Sequence, residues 1–193
     1  EKIIELGLSV SWLFHTRLTR KLTQERCDLY ARAGCVKVYI GIESVSDRIL
    51  EKMDKGITVA QIEEFFDGIE PKLPIGAYMM VGFPGETEDE AEKSFRYMSA
   101  LVERKKIATL AYSQFVVKPG SAIWATPEAF GITELSKVDG RDLDHNIYDF
   151  KTDGMSLEKI YEHASRYSGG KKLEQTLSKI KTITFEEIDE PLN

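Results

Sequence analysis

The fold of this chain is decided by a short apolar stretch, Val38-Tyr39-Ile40-Gly41-Ile42-Glu43-Ser44. The stretch lacks strict polar–apolar alternation, which favours a strand buried on both faces of a parallel sheet. It ends abruptly in a glutamate, and Ser46-Asp47 then begins a helix. Such a strand–turn–helix pattern is typical of α/β folds whose ligand sites lie at the C-terminal ends of the strands.

The same pattern recurs further along the chain, in Met80-Val81-Gly82-Phe83-Pro84-Gly85-Glu86-Thr87. Capping boxes that begin at Thr58 and at Thr87 predict one helix before and one helix after the strand that ends at Val81. We expect four strands, over residues 10–14, 36–42, 75–81 and 110–117, with helices between them. Right-handed crossovers then produce a parallel sheet covered by helices, and both glutamates lie at one edge of it.

The pattern changes after Gly120. Short helical pieces are expected around Pro127, and residues 146–150 form a candidate extended segment. Amphipathic helices follow near residues 157–164 and 173–180, before an acidic tail over residues 186–193. The predicted fold class is therefore α/β, a partial TIM-like barrel of about four parallel strands with outer helices and a C-terminal helical extension. We expect residues 1–125 to form the barrel part and residues 126–193 to form the extension packed on it.

Composition limits the function classes. The chain has 193 residues, of which 42% are hydrophobic and 30% charged, and a net charge of −6. Its basic residues are scattered, which argues against a nucleic-acid surface. No apolar run approaches the roughly 18 residues of a membrane span, so we expect a cytoplasmic protein. Cys27 and Cys35 indicate neither a disulfide framework nor a metal site, and we interpret both as small buried hydrophobic residues.

Several polar residues have a structural as well as a functional interpretation. The segment Gly82-Phe83-Pro84-Gly85 can be simply a tight turn between a strand and a helix. Glu43, at the end of a buried strand, needs either a basic partner, with Arg17 the candidate, or a polar ligand. For His15 a structural role is favoured over a catalytic one. His145 and His163 are expected in a loop and on a helix surface.

These residues together resemble the later strands of the radical S-adenosylmethionine superfamily. The resemblance rests on Thr16-Arg17, on Ala33-Gly34-Cys35, on the run from Ile40 to Gly56 and on Met80 to Thr87, and it extends over about residues 8–125. The nearest likeness is to the branch that is fused to cobalamin-binding domains and labelled iron–sulfur oxidoreductases. The resemblance implies a partial (βα)6 barrel with S-adenosylmethionine across the C-terminal strand ends.

The resemblance also implies roles for individual residues. Glu43 and Ser44 would face the ribose hydroxyls, since a carboxylate accepts hydrogen bonds from a vicinal diol. The segment Gly82-Phe83-Pro84-Gly85-Glu86 would line the adenine and methionine side, and the end of the fourth strand would flank the adenine. The expected cofactor-binding residues are Arg17, Glu43, Ser44, Gly82, Pro84, Gly85, Glu86, Phe115 and Val117.

The sequence departs from the family in two respects, one of which is the absence of the Gly-Gly-Glu-type strand end that holds the methionine amino group. The Cys-x-x-x-Cys-x-x-Cys loop that binds a 4Fe-4S cluster is absent from these residues, and Cys27 and Cys35 have the wrong spacing to replace it. We therefore expect a fragment of a radical S-adenosylmethionine enzyme that is inactive alone, with the cluster, and in some members cobalamin, belonging to the intact protein. In that protein the resemblance implies reductive cleavage of S-adenosylmethionine to a 5′-deoxyadenosyl radical, or cobalamin-linked methyl transfer. The alternative is a non-catalytic (βα) scaffold or interaction module.

The first predicted strand is expected to lie at an exposed edge of the sheet. Its backbone donors and acceptors would lack a neighbour, and the inward face, including Trp12 and Tyr39 or their neighbours, would be uncovered. The chain should then cover this edge with its own residues 145–185 or self-associate through it.

Overall fold

The computed structural model describes residues 1–70, 72–137 and 148–167. The helices are α1 (Lys2–Glu5), α2 (Gln24–Arg32), α3 (Asp47–Lys52), α4 (Val59–Gly68), α5 (Glu88–Glu103), α6 (Ala122–Ala125) and α7 (Leu157–Tyr167), with a 3-10 helix over Pro127–Phe130. The strands are β1 (Trp12–Arg17), β2 (Cys35–Glu43), β3 (Ile75–Val81), β4 (Thr109–Gln114), β5 (Glu134–Lys137) and β6 (Tyr148–Lys151).

The first four strands form one parallel sheet in the order β1-β2-β3-β4. Helices connect each strand to the next, so the predicted α/β architecture is confirmed. Glu43 pairs with Met79 of β3, which places the end of β2 and the Gly82–Glu86 turn at the same edge of the sheet. This C-terminal edge is where the site residues were expected.

Local sequence signals set the helix starts. Both predicted capping boxes form. The Thr58 and Thr87 hydroxyl groups accept hydrogen bonds from the Gln61 and Glu90 amides, and the Gln61 and Glu90 side chains accept from the backbone amides of the two threonines. Each box satisfies backbone donors that the first helical turn leaves unpaired. The helices α4 and α5 therefore begin at the predicted residues.

The two faces of the sheet differ in what covers them. Val38, Ile40 and Ile42 of β2 are fully buried in the main hydrophobic core. Helices α4 and α5 contribute Phe66 and Met98 to the same core. Because side chains alternate along a strand, His15, Tyr39 and Tyr78 lie on the opposite face, outside that core cluster. We call this opposite face the inner face.

The edge strands differ from the prediction. Strand β1 begins at Trp12 and continues to Arg17, later than the predicted 10–14, and β4 ends at Gln114 rather than at residue 117. Trp12 was expected on the inward face, which is wrong, because its ring packs on Phe14 and Tyr30 and its indole nitrogen donates to the Ala33 carbonyl. Within the described residues β1 pairs only with β2 and forms one edge of the sheet.

The C-terminal part is not purely helical. Strands β5 and β6 pair antiparallel. Strand β6 lies where the extended segment 146–150 was expected, whereas β5 and the pairing were not predicted. Helix α7 packs against β4 and β3, far from the β1 edge, so the described part of the C-terminal segment does not cover that edge. His163 of α7 is buried and not on the helix surface as expected, because its imidazole meets Glu88 of α5. His145, the predicted helix over 173–180 and the acidic tail lie outside the described residues.

Among the helices of the described residues, none is long and apolar enough to cross a membrane.

Candidate functional site

Glu43 is the last residue of β2 and has an unusual backbone conformation. Its φ of 71° lies in the left-handed region, which non-glycine residues seldom adopt. The register of β2 on β3 shifts between Gly41 and Glu43, which turns the glutamate back over the strand. A side chain at Gly41 would place its first carbon 2.5 Å from Glu43 Oε1, so the carboxylate occupies the space above that glycine. Such strain at a strand end is a recurrent feature of functional sites.

The basic partner of Glu43 is Lys55, and the predicted pairing with Arg17 is wrong. Lys55 Nζ lies 3.1 Å from Glu43 Oε1, and the two side chains are 12% and 21% exposed. The chain turns sharply at Asp54 and Gly56, both with positive φ, and this turn brings Lys55 back to the end of β2. Arg17 instead donates to the Asp54 and Lys55 carbonyls, at 3.2 and 2.6 Å, and so holds that turn in place.

Ser44 lies inside the protein. It is fully buried, its hydroxyl oxygen is 3.5 Å from that of Ser94 on α5, and it accepts from the Ser46 amide. The Ser94 hydroxyl also accepts from the Val45 amide at 2.9 Å. The Ser44 hydroxyl thus ties the turn after β2 to α5, a contact that the sequence did not predict. Its proposed contact with a ribose stays a prediction, for which the side-chain position offers no support.

Glu86 is also buried, with an exposed fraction of 1%. Its Oε2 accepts from the Gly82 amide at 2.6 Å, which closes the Gly82–Glu86 turn on itself. Its Oε1 has no hydrogen-bond partner in the described structure. Burial, opposed by the Gly82 amide, raises the pKa of the Glu86 carboxyl to about 7. The geometry gives Glu86 the role of holding the turn.

The glycines of this turn allow the chain's own C-terminal segment to approach. A side chain at Gly82 would meet Ile160 of α7 at 2.6 Å, and Gly82 has a φ of 84°. Gly154 lies so close to the turn that a side chain there would come within 2.5 Å of the Glu86 carbonyl. The Met155 amide donates to that carbonyl at 2.9 Å. At this turn the close neighbours are the chain's own atoms, Ile160 and Gly154, and the contact of the glycines with a ligand stays a prediction.

An ion pair joins the two turns at the edge of the sheet. Arg48 of α3 donates to the Gly85 carbonyl at 2.7 Å and to both carboxylate oxygens of Glu90. Ser46 and Thr87 donate to the same carboxylate. Burial favours a higher pKa for Glu90, but the hydrogen bonds from Arg48, Thr87 and Ser46 outweigh it and lower the pKa to about 2. The turn after β2 and the turn after β3 are thus locked together.

The remaining predicted residues follow the strand ends. Phe115 lies just beyond β4 and packs edge-to-face on Phe83 and Phe150, with ring centroids 5.2 and 5.6 Å away. Val117 and Pro84 are buried. A separate cleft of about 960 Å³ opens between the loop after β1 and the turn after α3, with Arg17 and Lys55 in its wall. That volume lies within the range of small-molecule sites.

The two cysteines do not suit an iron–sulfur cluster. Both are buried and free, as predicted. Burial raises the pKa of both thiols, and Cys35 Sγ lies 3.3 Å from the Lys37 carbonyl. A cluster needs accessible thiolates. In residues 1–70, 72–137 and 148–167 no group of three His, Cys, Asp or Glu side chains is placed to hold a metal ion.

The family assignment follows from comparison with known proteins. Residues 4–98 match the model of the Radical SAM superfamily, where SAM denotes S-adenosylmethionine, and they contain β1, β2, β3 and most of α5. Residues 4–98 of this chain belong to the radical SAM superfamily. The resemblance drawn from the motifs is thereby confirmed.

Relatives within the superfamily are longer than this radical SAM chain. An uncharacterized methyltransferase of Pyrococcus horikoshii is 31% identical over 130 residues, which are 64% of this chain and 26% of the relative. A tRNA-2-methylthio-N(6)-dimethylallyladenosine synthase of Paraburkholderia phytofirmans is 32% identical over 113 residues, covering 56% of this chain and 24% of the relative. The chain thus spans about a quarter of the length of these relatives.

Solved structures show the same fold. The radical S-adenosylmethionine methyltransferase TsrM from Kitasatospora setae, with cobalamin and a 4Fe-4S cluster bound, superposes with a TM-score of 0.52 and 14% identity over 79% of this chain and 36% of its own. The cobalamin-dependent S-adenosylmethionine radical enzyme OxsB gives a TM-score of 0.51 and 16% identity over 84% of this chain and 29% of its own. The partial TIM-like barrel predicted from the sequence is therefore confirmed.

Proposed function

We propose that this radical SAM chain contributes the ribose and adenine side of an S-adenosylmethionine site, with Glu43 as the acceptor for the ribose hydroxyls. The observation that supports this most directly is the Glu43 carboxylate itself. It lies over Gly41 at the C-terminal end of β2, in a left-handed backbone conformation, and it remains partly exposed. A carboxylate held in this way is preorganised to accept two hydrogen bonds from a vicinal diol.

The residues around Glu43 position it. Lys55 compensates its charge, Arg17 holds the turn that carries Lys55, and the Arg48–Glu90 pair fixes the neighbouring turn. Glu86 keeps the Gly82–Glu86 turn closed. S-adenosylmethionine, when bound, would supply the reactive sulfonium group. The described residues supply the surface on which its nucleoside part rests.

The whole protein's chemistry is a further proposal. Membership in the superfamily and the names of its relatives support a radical SAM enzyme, with methyl or methylthio transfer as the class of reaction. Cobalamin is supported as a second cofactor by the TsrM and OxsB structures. The described residues do not fit a cluster, so the 4Fe-4S group belongs to other parts of the intact enzyme in this proposal. By itself the chain would then be inactive.

The test uses adenosine and 2′,3′-dideoxyadenosine, which differ only in the ribose diol. Each is titrated into the 15N-labelled chain and followed by NMR. We expect adenosine to bind about tenfold more tightly than the dideoxy compound, since two hydrogen bonds to a charged group are worth on the order of 1.5 kcal/mol or more. The shifted amides should include those of residues 41–43.

The variant Glu43→Gln should abolish most of this difference, while the control Glu51→Gln should keep it, because Glu51 is exposed on α3. Equal affinities for the two nucleosides in the unmodified chain would refute the role of Glu43. The same conclusion follows if Glu43→Gln retains the full preference for adenosine.

A further inference from the structure

Three aromatic rings form a cluster on the inner face of the sheet. The His15 and Tyr39 ring centroids are 5.0 Å apart, those of Tyr39 and Tyr78 are 5.2 Å apart, and those of His15 and Tyr78 are 5.6 Å apart. The ring planes are nearly parallel, with angles of 13–25°. We call these three residues the inner-face stack.

The inner-face stack differs from most other aromatic contacts among the described residues. Phe83 meets Phe115 at 66°, Phe115 meets Phe150 at 77°, and Phe95 meets Tyr112 at 78°. Those pairs lie edge-to-face, as is usual for rings that fill a core. Rings that lie parallel instead present a surface on which a further flat ring can stack.

The backbone under the stack provides the space for it. Gly76 lies beside Tyr39 in the sheet, and a side chain there would come within 2.5 Å of the Tyr39 ring. Gly41 lies beside Tyr78 and contributes no side chain of its own. His15 is exposed and Tyr78 is partly exposed, whereas Tyr39 is mostly covered. The accessible part of the stack is thus formed by His15 and Tyr78.

A cation completes the surface. Lys37 Nζ lies 4.6 Å from the centre of the Tyr39 ring, at the border of the stack. No carboxylate among the described residues forms an ion pair with Lys37, whereas Glu43 and Glu90 at the sheet edge each have a basic partner. An unpaired ammonium beside an aromatic surface favours a ligand that has a negative charge next to its ring.

We propose that the inner-face stack binds a planar aromatic group that bears a negative charge, with the ring on His15 and Tyr78 and the charge near Lys37. In a radical SAM enzyme this group belongs to the substrate, and this identification of the group rests on the proposed function. Tyr78 pairs with Gly41 across β2 and β3, and the Glu43 carboxylate lies over Gly41, which places the bound ring beside the nucleoside site. Binding of the ring itself requires neither Glu43 nor a nucleoside.

The test uses three probes of one skeleton: 2-naphthoate, its saturated analogue decahydronaphthalene-2-carboxylate, and neutral 2-naphthylmethanol. Each is titrated into the 15N-labelled chain without nucleoside. We expect 2-naphthoate to shift the amides of Lys37, Tyr39 and Tyr78 and to bind about three- to tenfold more tightly than the saturated analogue. The variant Lys37→Gln should weaken 2-naphthoate several-fold and leave the neutral alcohol unchanged.

The variant Tyr78→Leu should lower the affinity for 2-naphthoate by about three- to tenfold, and Tyr78→Phe should retain it because the ring remains. Trp124→Leu is the matched control, since Trp124 is an exposed aromatic residue outside the sheet. Equal binding of the planar and the saturated acid would overturn the proposal. NMR shifts centred on Trp124 would also overturn it. So would shifts of the stack amides that change with the protein concentration and not with the concentration of the probe.

The two proposals fail separately. If the chain binds 2-naphthoate but does not prefer adenosine, the proposed role of Glu43 is refuted and the proposed binding at the stack stands. If it prefers adenosine but does not bind 2-naphthoate, the nucleoside site stands and the proposed binding at the stack is refuted.

Discussion

Replacing Glu86 by Gln should make the protein more stable at alkaline pH. The carboxyl group is buried, its Oε1 has no partner in the described structure, and its pKa is raised from 4.5 to about 7. The folded chain therefore binds a proton that the unfolded chain releases between these values. The free energy of unfolding consequently falls as the pH rises from about 4.5 to about 7.

The structure sets the size of the effect. A rise in pKa from 4.5 to about 7, at 1.36 kcal/mol per pH unit, corresponds to about 3 kcal/mol at pH 8. A glutamine keeps an acceptor for the Gly82 amide but forms a weaker hydrogen bond than a carboxylate, which costs about 1 kcal/mol. The variant should therefore be about 2 kcal/mol more stable than the parent chain at pH 8. At pH 5 the gain falls to about 1 kcal/mol, which the weaker hydrogen bond offsets, so the two chains should be about equally stable there.

Urea denaturation at pH 5 and pH 8 measures this difference. With a slope of about 2 kcal/mol per molar urea, the midpoint of Glu86→Gln should rise by about 1 M at pH 8. The exposed Glu51→Gln change serves as the control and should leave both midpoints unchanged. The pH dependence due to Glu90 has the opposite sign, because its pKa is lowered to about 2. Its contribution to stability is fully present above about pH 4.5 and is lost as the pH falls towards 2. A Glu86→Gln variant that is less stable at pH 8, or equally shifted at both pH values, would refute the reasoning.

Two further outcomes follow from the packing of the sheet edges. Gly82→Ala should lower the free energy of unfolding by about 2 kcal/mol, because the new carbon meets Ile160 and the φ of 84° disfavours alanine. Ile160→Ala alone should cost about 2–5 kcal/mol, because that side chain is buried. The double variant should lose less than the sum of the two, and denaturation of all four chains in a double-mutant cycle measures this coupling. Amides of β1 that face away from β2 should exchange with solvent faster than those that donate to β2, as measured by NMR hydrogen exchange. Uniform protection of residues 12–17 would show that another segment or a second copy covers this edge.

Much of the fold could be predicted from local sequence signals. The apolar run 75–81 is strand β3 at the predicted residues, and Thr58 and Thr87 cap the helices that their sequences predicted. These features depend on neighbouring residues, since a capping box needs only residues three apart and a buried strand needs only an apolar run. The domain division at residue 125 and the roles of Gly82, Pro84, Gly85, Phe115 and Val117 in binding stay predictions.

The contacts of the site were decided by tertiary structure. Glu43 was recognised from its place at the end of β2, but its partner is Lys55 rather than Arg17, because the turn after α3 returns to the sheet and the bulge in β2 directs the carboxylate over Gly41. Ser44 meets Ser94, fifty positions along the chain, because α5 packs behind the turn after β2. The sequence determined which chemical groups stand at the edge of the sheet. Which of them face solvent and which bind each other depended on the packing of distant segments, and a pattern of neighbouring residues contains no information about that packing.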